Sequence, residues 1–182
     1  MFSVPQGPVV IEDFKLQGRF VKATSLQARN LLVMRLFMHS YGWGEKLRWR
    51  DLDVTLKVYQ GNKSYHDHLS ISRLCICFYN GTPLLEAFAA NFPTLLCWDP
   101  KYTELNELSQ FYFDLLRKAE ILHDTPETLA SKLNEIYEDP MSWWMSSGTQ
   151  DAKNKFCRRF ARTSDDWVVQ WKEELMKLIH ED

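Results

Sequence analysis

The residues best placed to do chemistry lie together at Tyr79-Asn80-Gly81-Thr82-Pro83-Leu84-Leu85-Glu86-Ala87. They follow an apolar run, Leu74–Tyr79, and open a segment in which Thr82 before Pro83 signals a helix start. The first turn of such a helix offers free N–H groups and the positive end of a dipole, which together suit an anion such as a diphosphate. Gly81 lets the backbone approach that anion closely, and Thr82 adds a hydroxyl. Glu86, one turn in, is a charge within an otherwise apolar stretch. A carboxylate is costly to bury unpaired, and ribose hydroxyls would serve as its partners. The same residue types also describe an ordinary strand–turn–helix with Glu86 at a solvent edge.

A second candidate is Arg35, the one charge in the apolar run Leu31–Phe37. A cation in the last turn of a buried strand should emerge at the same carboxyl edge as Asn80–Thr82, where it could pair with phosphate oxygens. The alternative is a structural ion pair with an Asp or Glu. Ser40–Arg50 reads as a loop that includes Tyr41, in which Lys46, Arg48 and Arg50 outnumber Glu45, with Trp43 and Trp49 able to stack on a base or sugar. That loop could equally be an aromatic segment packed on the fold. His66 and His68 resemble a ligand pair, but positions i and i+2 diverge on a helix, so no metal site is expected. No G-x-S-x-G nucleophile elbow occurs. Trp143, Trp144, Phe156, Phe160, Trp167 and Trp171 read as core or interface rather than a cofactor box. The basic run from Lys153 to Arg159 reads as a solvated helix face or, more sharply, as a membrane-surface contact.

The elements that must position these residues follow from periodicity. Residues 1–30 are expected to be an irregular lead-in, with Val9–Ile11 a short strand and Phe20–Ala28 a short helix. Residues 31–140 form the main domain. The continuous apolar runs Leu31–Phe37, Leu74–Tyr79 and Pro93–Trp98 read as buried strands, and Val54, Leu56 and Val58 alternate as a half-exposed one. Ser64 caps a short helix reaching about Ser70. Leu84–Ala90 is helical, and Asn91 sits where a left-handed residue would end it. Leu105–Ala119 repeats at close to 3.6 residues, and Thr125-Pro126 starts another helix. Residues 141–182 are expected to hold C-terminal helices, Asp151–Ala161 and Asp165–Ile179 among them, packing on the domain or on an absent N-terminal one. Strands alternating with helices imply an α/β fold: a Rossmann-like parallel sheet flanked by helices, with a helical C-terminal extension. Ligands in such sheets bind at the carboxyl ends of strands.

Composition narrows the field. The 182 residues carry a net charge of -2, which is not the basic balance of a general nucleic-acid binder. Only 7 are glycine, and neither a Walker loop nor a G-x-G-x-x-G fingerprint occurs. No apolar run approaches a membrane span, and Met1–Pro8 lacks the features of a secretory leader, so a cytoplasmic protein is expected. The four cysteines, none in a C-x-x-C pair, read as free thiols of a reduced compartment.

Asn80-Gly81-Thr82, with Glu86-Ala87, Asn91 and Pro93 at fixed offsets, resembles the nucleotide-sugar motif of GT-B-fold glycosyltransferases, roughly [ST]-G-T-x-x-x-E-[AT]-x-x-x-G-x-P. Asn80 replaces Ser or Thr, and Asn91 replaces a Gly whose left-handed conformation Asn tolerates. Tyr79–Pro100, Leu122-His123-Asp124-Thr125-Pro126-Glu127, Trp143-Trp144 and Phe156-Cys157-x-Arg159-Phe160-Ala161 look like bacterial surface-carbohydrate biosynthesis transferases, as do Arg35, Tyr41-Gly42-Trp43 and Arg48-Trp49. The resemblance spans about residues 30–175.

That resemblance implies the donor-binding half of a metal-independent glycosyltransferase, with a nucleotide-sugar as substrate and no cofactor. It implies that Gly81 and Thr82, beside Asn80, contact the donor diphosphate, that Glu86 holds the ribose, that Tyr41 and Trp43 belong to the donor site, and that Arg35 neutralises phosphate charge in catalysis. The expected acceptor is a surface polysaccharide or lipid-linked carbohydrate. The remaining partners would be an N-terminal acceptor domain or a second copy of the chain, with peripheral contact at the inner face of the membrane. A rival reading is a non-catalytic module that binds a nucleotide or a protein through its aromatic C-terminal face. A response-regulator-like domain is the weakest alternative, lacking an evident acidic cluster.

Overall fold

A computed structural model describes residues 7–37, 42–61 and 63–179. Five short strands are all parallel to their neighbours. Strand β1 (Val33–Arg35) pairs with β2 (Lys57–Tyr59), and β4 (Thr94–Cys97) lies between β3 (Cys75–Cys77) and β5 (Leu122–His123). Strand β4 is buried along its whole length, which explains why Pro93–Trp98 reads as an unbroken apolar run. Its side chains alternate between two layers. Leu96 and Trp98 join one, with Leu84 and Phe88 of α5 (Thr82–Ala89), Phe113 and Leu116 of α6 (Glu107–Lys118), and Phe156 of α9 (Ser147–Phe160). Leu95 and Cys97 join the other, with Leu129 and Leu133 of α7 (Pro126–Ile136) and Phe20 and Val21 of α1 (Gly7–Ala23). The fold is α/β: small parallel sheets flanked by helices in a Rossmann-like arrangement.

The lead-in is the largest correction. Residues 7–23 are one helix, neither irregular nor a strand at Val9–Ile11. Pro8 is tolerated because a first-turn N–H has no intrahelical acceptor to lose, and Gly18 faces Leu52, whose Cδ2 would lie in ordinary contact, 3.5 Å, with an added Cβ. Burial of Phe20 and Val21 outweighs the roughly 1 kcal/mol propensity cost of a mid-helix glycine. A short second helix, α2 (Leu26–Arg29), follows with Ser25 as its cap. The expected basic loop is also a helix over most of its length, α3 (Glu45–Leu52), entered through Gly44 at φ 67. Trp49 drives this. It is only 3% exposed and meets Phe14 edge-on at 4.8 Å, so it is core and not a stacking platform.

Other differences are local. Val54 is 82% exposed, because Asp53 accepts from the Thr55 N–H and hydroxyl and turns the chain before β2 begins. Strand β1 is covered on one face only: Leu32, Met34 and Leu36 face the core, while Leu31, Val33, Arg35 and Phe37 are exposed. Arg35 therefore ends a half-exposed strand, not a buried one. Ser64 caps α4 (Tyr65–Ser70) in a reciprocal box with Asp67. After α7, Asp139 caps α8 (Pro140–Trp144), and Trp144 is fully buried, its indole N–H donating to the Asn91 carbonyl. Helix α9 starts at Ser147, before the expected Asp151. Helix α10 (Trp167–Ile179) exposes Trp167, Trp171, Leu175 and Leu178.

Two measurements test this packing. Phe20 is 1% exposed and meets Phe78 at 5.4 Å, so Phe20→Ala should cost about 3–5 kcal/mol in chemical denaturation. Ile11→Ala, on the exposed side of α1, should stay within about 0.5 kcal/mol. An equal, small effect of both would detach α1 from the core. The second measurement is pH dependence. Burial holds the His123 imidazole below its ordinary range, so the unfolded chain binds the proton more readily. Stability should then be intact above about pH 6.5 and decline as pH falls through the unfolded value. His68, also lowered by burial with Arg35 and Lys63 nearby, adds to the same window. His123→Gln should therefore shrink the slope between about pH 7 and 5.5 without abolishing it. Glu120 and Glu127, held low by Lys132 and Arg19, weaken the fold only at more acid pH.

Candidate functional site

Helices α5, α6 and α7 each follow a parallel strand, so all three begin at the carboxyl edge. Two are closed by side chains: Asn106 accepts from the Ser109 N–H at 2.8 Å, and Thr125 accepts from the Thr128 N–H at 3.3 Å. Helix α5 is not. Its N-cap is Gly81, without a side-chain cap, and Thr82 is the first helical residue rather than the cap. Pro83 brings no N–H. Gly81 has ordinary extended backbone, φ -156 and ψ -177, so conformation does not demand glycine here. An added Cβ would sit 2.4 Å from Tyr79 Cε2, so the exposed ring would have to swing aside. The Tyr79 ring lies over the turn.

Charges from two elements converge on that ring. Tyr79 is 56% exposed, yet burial of part of the ring pushes its phenol up. Arg35 pulls it back down and Glu86 pushes it further up, so the ends of β1 and the first turns of α5 act on one hydroxyl. Arg35 is exposed, and a guanidinium N–H donates to the Lys63 carbonyl at 3.4 Å. Among the described residues no carboxylate pairs with it, so a structural ion pair is not what holds it. Glu86 is half-buried, with Oε2 3.8 Å from His66 Nε2. Tyr65 ties α4 to the same turn by donating to the Pro83 carbonyl at 2.9 Å.

On the other side of Asn80 is a cavity of about 290 Å³. Leu85, Leu105, Phe113, Phe156 and Phe160 give it apolar walls, and Asn80, Glu104, Asn106 and Ser109 give it polar groups. Trp98, beneath, packs against Phe113 with ring centroids 5.9 Å apart, and its buried indole N–H meets no acceptor among the described residues. The site therefore has two halves. Arg35, Tyr79 and Glu86 lie toward α4, the cavity lies toward α6 and α9, and Asn80 and α5 stand between them.

Of the residues singled out from sequence, Asn80, Gly81, Thr82 and Glu86 lie on the turn after β3 and the first turns of α5, while Arg35 ends β1 of the other sheet. Trp43 is half-buried, and its carbonyl accepts from Arg48 Nε at 3.0 Å at the start of α3. Tyr41 lies outside the described residues. Sequence reasoning gave no role to His66, placed opposite Glu86, or to Glu104, Asn106 and Ser109. The Ser64 cap could have located the first; the others needed the α5–α6–α9 packing. Among the described residues no group of three or more His, Cys, Asp or Glu is placed to hold a metal ion, and no helix is long and apolar enough to cross a membrane.

The contact between Tyr79 and Gly81 predicts a measurable coupling. Gly81→Ala should destabilise the chain by more in the native background than in Tyr79→Ala, with an interaction energy of about 0.5–1 kcal/mol in a double-mutant cycle. Additive effects would mean that the ring does not rest on the turn.

Compared with known proteins, the chain matches one family model, described as LIC12162 family transferase, over residues 1–175. No curated protein and no solved structure matches.

Proposed function

The chain belongs to the LIC12162 family of transferases, and we propose that it is the donor-binding part of a glycosyltransferase that moves a sugar from a nucleoside-diphosphate carrier to a carbohydrate or lipid-linked acceptor. The observation that carries this reading is the N-terminus of α5, which has no side-chain cap, with Arg35, paired with no carboxylate among the described residues, acting on the same Tyr79 hydroxyl as Glu86. The diphosphate takes the Thr82 N–H and hydroxyl at the positive end of α5, since Pro83 has no N–H and the Leu84 N–H already donates to the Gly81 carbonyl, with Arg35 as counter-charge. Glu86 accepts from ribose hydroxyls. The glycosyl group enters the cavity, where Phe113, Phe156 and Phe160 offer apolar faces and Asn80, Glu104, Asn106 and Ser109 offer partners for hydroxyls.

In the transfer step the bond between the anomeric carbon and the diphosphate oxygen breaks, and an acceptor oxygen takes the carbon. Negative charge grows on the departing diphosphate. The Thr82 N–H and hydroxyl, with Arg35, bind that charge more tightly in the transition state than in the ground state, which is where the acceleration arises. The acceptor and any general base come from a facing domain or subunit. The second reading is a binding module without turnover. The exposed Trp167 and Trp171 of α10 favour it, since apolar patches of that kind mark association surfaces.

A nucleoside diphosphate present at 100 times its Kd should stabilise the chain by about 2.7 kcal/mol, a melting shift of roughly 5–10 °C. A panel of UDP, GDP, CDP and CMP reads it, and no shift with any at millimolar concentration would sink the proposal. Glu86→Gln and Arg35→Ala should each weaken binding by about 1–3 kcal/mol, with little change in the unliganded melting point. The chain by itself should bind donor without transferring sugar, because acceptor positioning is lost. Turnover by a clean monomer, read by light scattering beside a donor-turnover assay, would make the chain self-sufficient.

A further inference from the structure

Two thiols lie side by side beneath the turn that carries the site. Cys75 and Cys77 are two residues apart on β3, so their side chains leave the same face, and their sulfurs are 3.7 Å apart. Both are free, Cys75 half-buried and Cys77 buried. Their environments differ. A hydrogen bond from Cys77 outweighs burial and holds the Cys75 thiol below its ordinary range, and since the Tyr65 hydroxyl, 3.4 Å away, gives its proton to the Pro83 carbonyl, it is the Cys75 S–H that donates to Tyr65. The bond to Cys75, together with burial, pushes Cys77 up. One sulfur is thus disposed to ionise next to a neighbour that keeps its proton. Cys97 and Cys157 are instead pushed up by burial, Cys97 to about 12.

We propose that Cys75 and Cys77 form an oxidant-sensitive dithiol, which a peroxide converts to an intrastrand disulfide. The Cys75 thiolate attacks one peroxide oxygen and the O–O bond breaks. Cys75 becomes a sulfenic acid, and the other oxygen leaves as hydroxide and takes up a proton to form water. The Cys77 sulfur then attacks the sulfenic sulfur. The S–S bond forms, the S–O bond breaks, and the departing hydroxide takes the Cys77 proton. Two thiols lose two electrons to one peroxide, giving one disulfide and two waters.

The change is not silent for the fold. Residues two apart on an extended strand have Cα atoms, and same-face Cβ atoms, roughly 6.6–6.8 Å apart, whereas a disulfide needs its Cβ atoms at about 3.5–4.5 Å, so the bridge forms only as the backbone of β3 contracts. Closing the sulfurs to about 2.05 Å draws in the strand just before Tyr79. Tyr65, whose hydroxyl touches Cys75 and also donates to the Pro83 carbonyl, is a second link to the first turn of α5. Oxidation should therefore reduce nucleotide affinity. That consequence rests on the donor-binding reading; the thiol chemistry does not.

The test uses the folded chain with stoichiometric hydrogen peroxide, followed by alkylation under denaturing conditions and peptide mapping. The expected result is loss of one pair of the four thiols: the peptide holding Cys75 and Cys77 escapes alkylation and is lighter by two hydrogens, and dithiothreitol restores it. Phenylarsine oxide, which bridges close thiols, should protect the same peptide. Alkylation of all four cysteines after oxidation, or sulfinic acid at Cys75 without the disulfide, would overturn the proposal. Because the mapping needs only the native sequence, a misfolded Cys75→Ser variant does not cloud it. The thermal shift given by the nucleoside diphosphate should shrink on oxidation and return with reductant. An unchanged shift overturns the coupling to the site, while absence of any shift in the reduced chain counts against the donor-binding reading and leaves the mapping to decide the thiol chemistry.

Discussion

The structure depends on the burial of β4. Four successive residues, Thr94 to Cys97, have no exposed face. Such a strand cannot stand at a sheet edge or face solvent, because every side chain and every backbone polar group needs a partner. Parallel pairing on both sides meets the backbone requirement, and the period of two sends Leu95 and Leu96 into opposite layers. Parallel pairing in turn forces each connection to return across the sheet as a helix. Every such helix then starts at the carboxyl edge. The open end of α5 lies there as a consequence of how β4 is satisfied, before any functional demand is considered.

How much of this could be read from sequence follows from which force acts locally. The run Pro93–Trp98 announced β4 because burial on both faces leaves no polar position. Asn91 was legible as a helix terminator, and it adopts φ 52. Thr125 was legible as a cap because the residue that bonds to it is three positions away. By contrast, α1 and α3 are helices because of distant partners. Phe14 meets Trp49, and Arg19 holds Glu127 through two hydrogen bonds of 2.9 and 2.7 Å. Local composition at Pro8, Gly18, Gly42 and Gly44 pointed toward irregular chain, and tertiary packing overrode it. Thr82 is not the cap: the helix takes it as its first residue and Gly81 as the cap, one position earlier than the Thr-Pro pair suggests.

The candidate site was legible in its polar half and hidden in the other. Asn80, Gly81, Thr82 and Glu86 share one short segment, so their spacing is visible in the chain. Arg35 was legible as a lone charge, although the strand that carries it is exposed on its outer face. The cavity draws Leu85 from α5, Glu104 to Ser109 from the entry to α6, and Phe156 and Phe160 from α9. No local pattern brings these together. They meet because α9 packs across α5 and α6, and that packing is fixed by a cluster of rings in which Phe156 lies 5.5 Å from Phe88 and 5.2 Å from Phe113.

This division has a chemical consequence. A ligand with an anionic end and a polyhydroxylated end could fill both halves only by lying across Asn80. The position of that residue is constrained from both sides, by β3 before it and by the Tyr79 ring pressed on Gly81 after it. The turn is therefore held from outside, since Gly81 has no left-handed requirement of its own and supplies no side-chain cap. Tyr65, which donates to the Pro83 carbonyl and touches Cys75, links the first turn of α5 to the strand below it. Any change in the geometry of β3 therefore reaches the first turn of α5 through these same contacts.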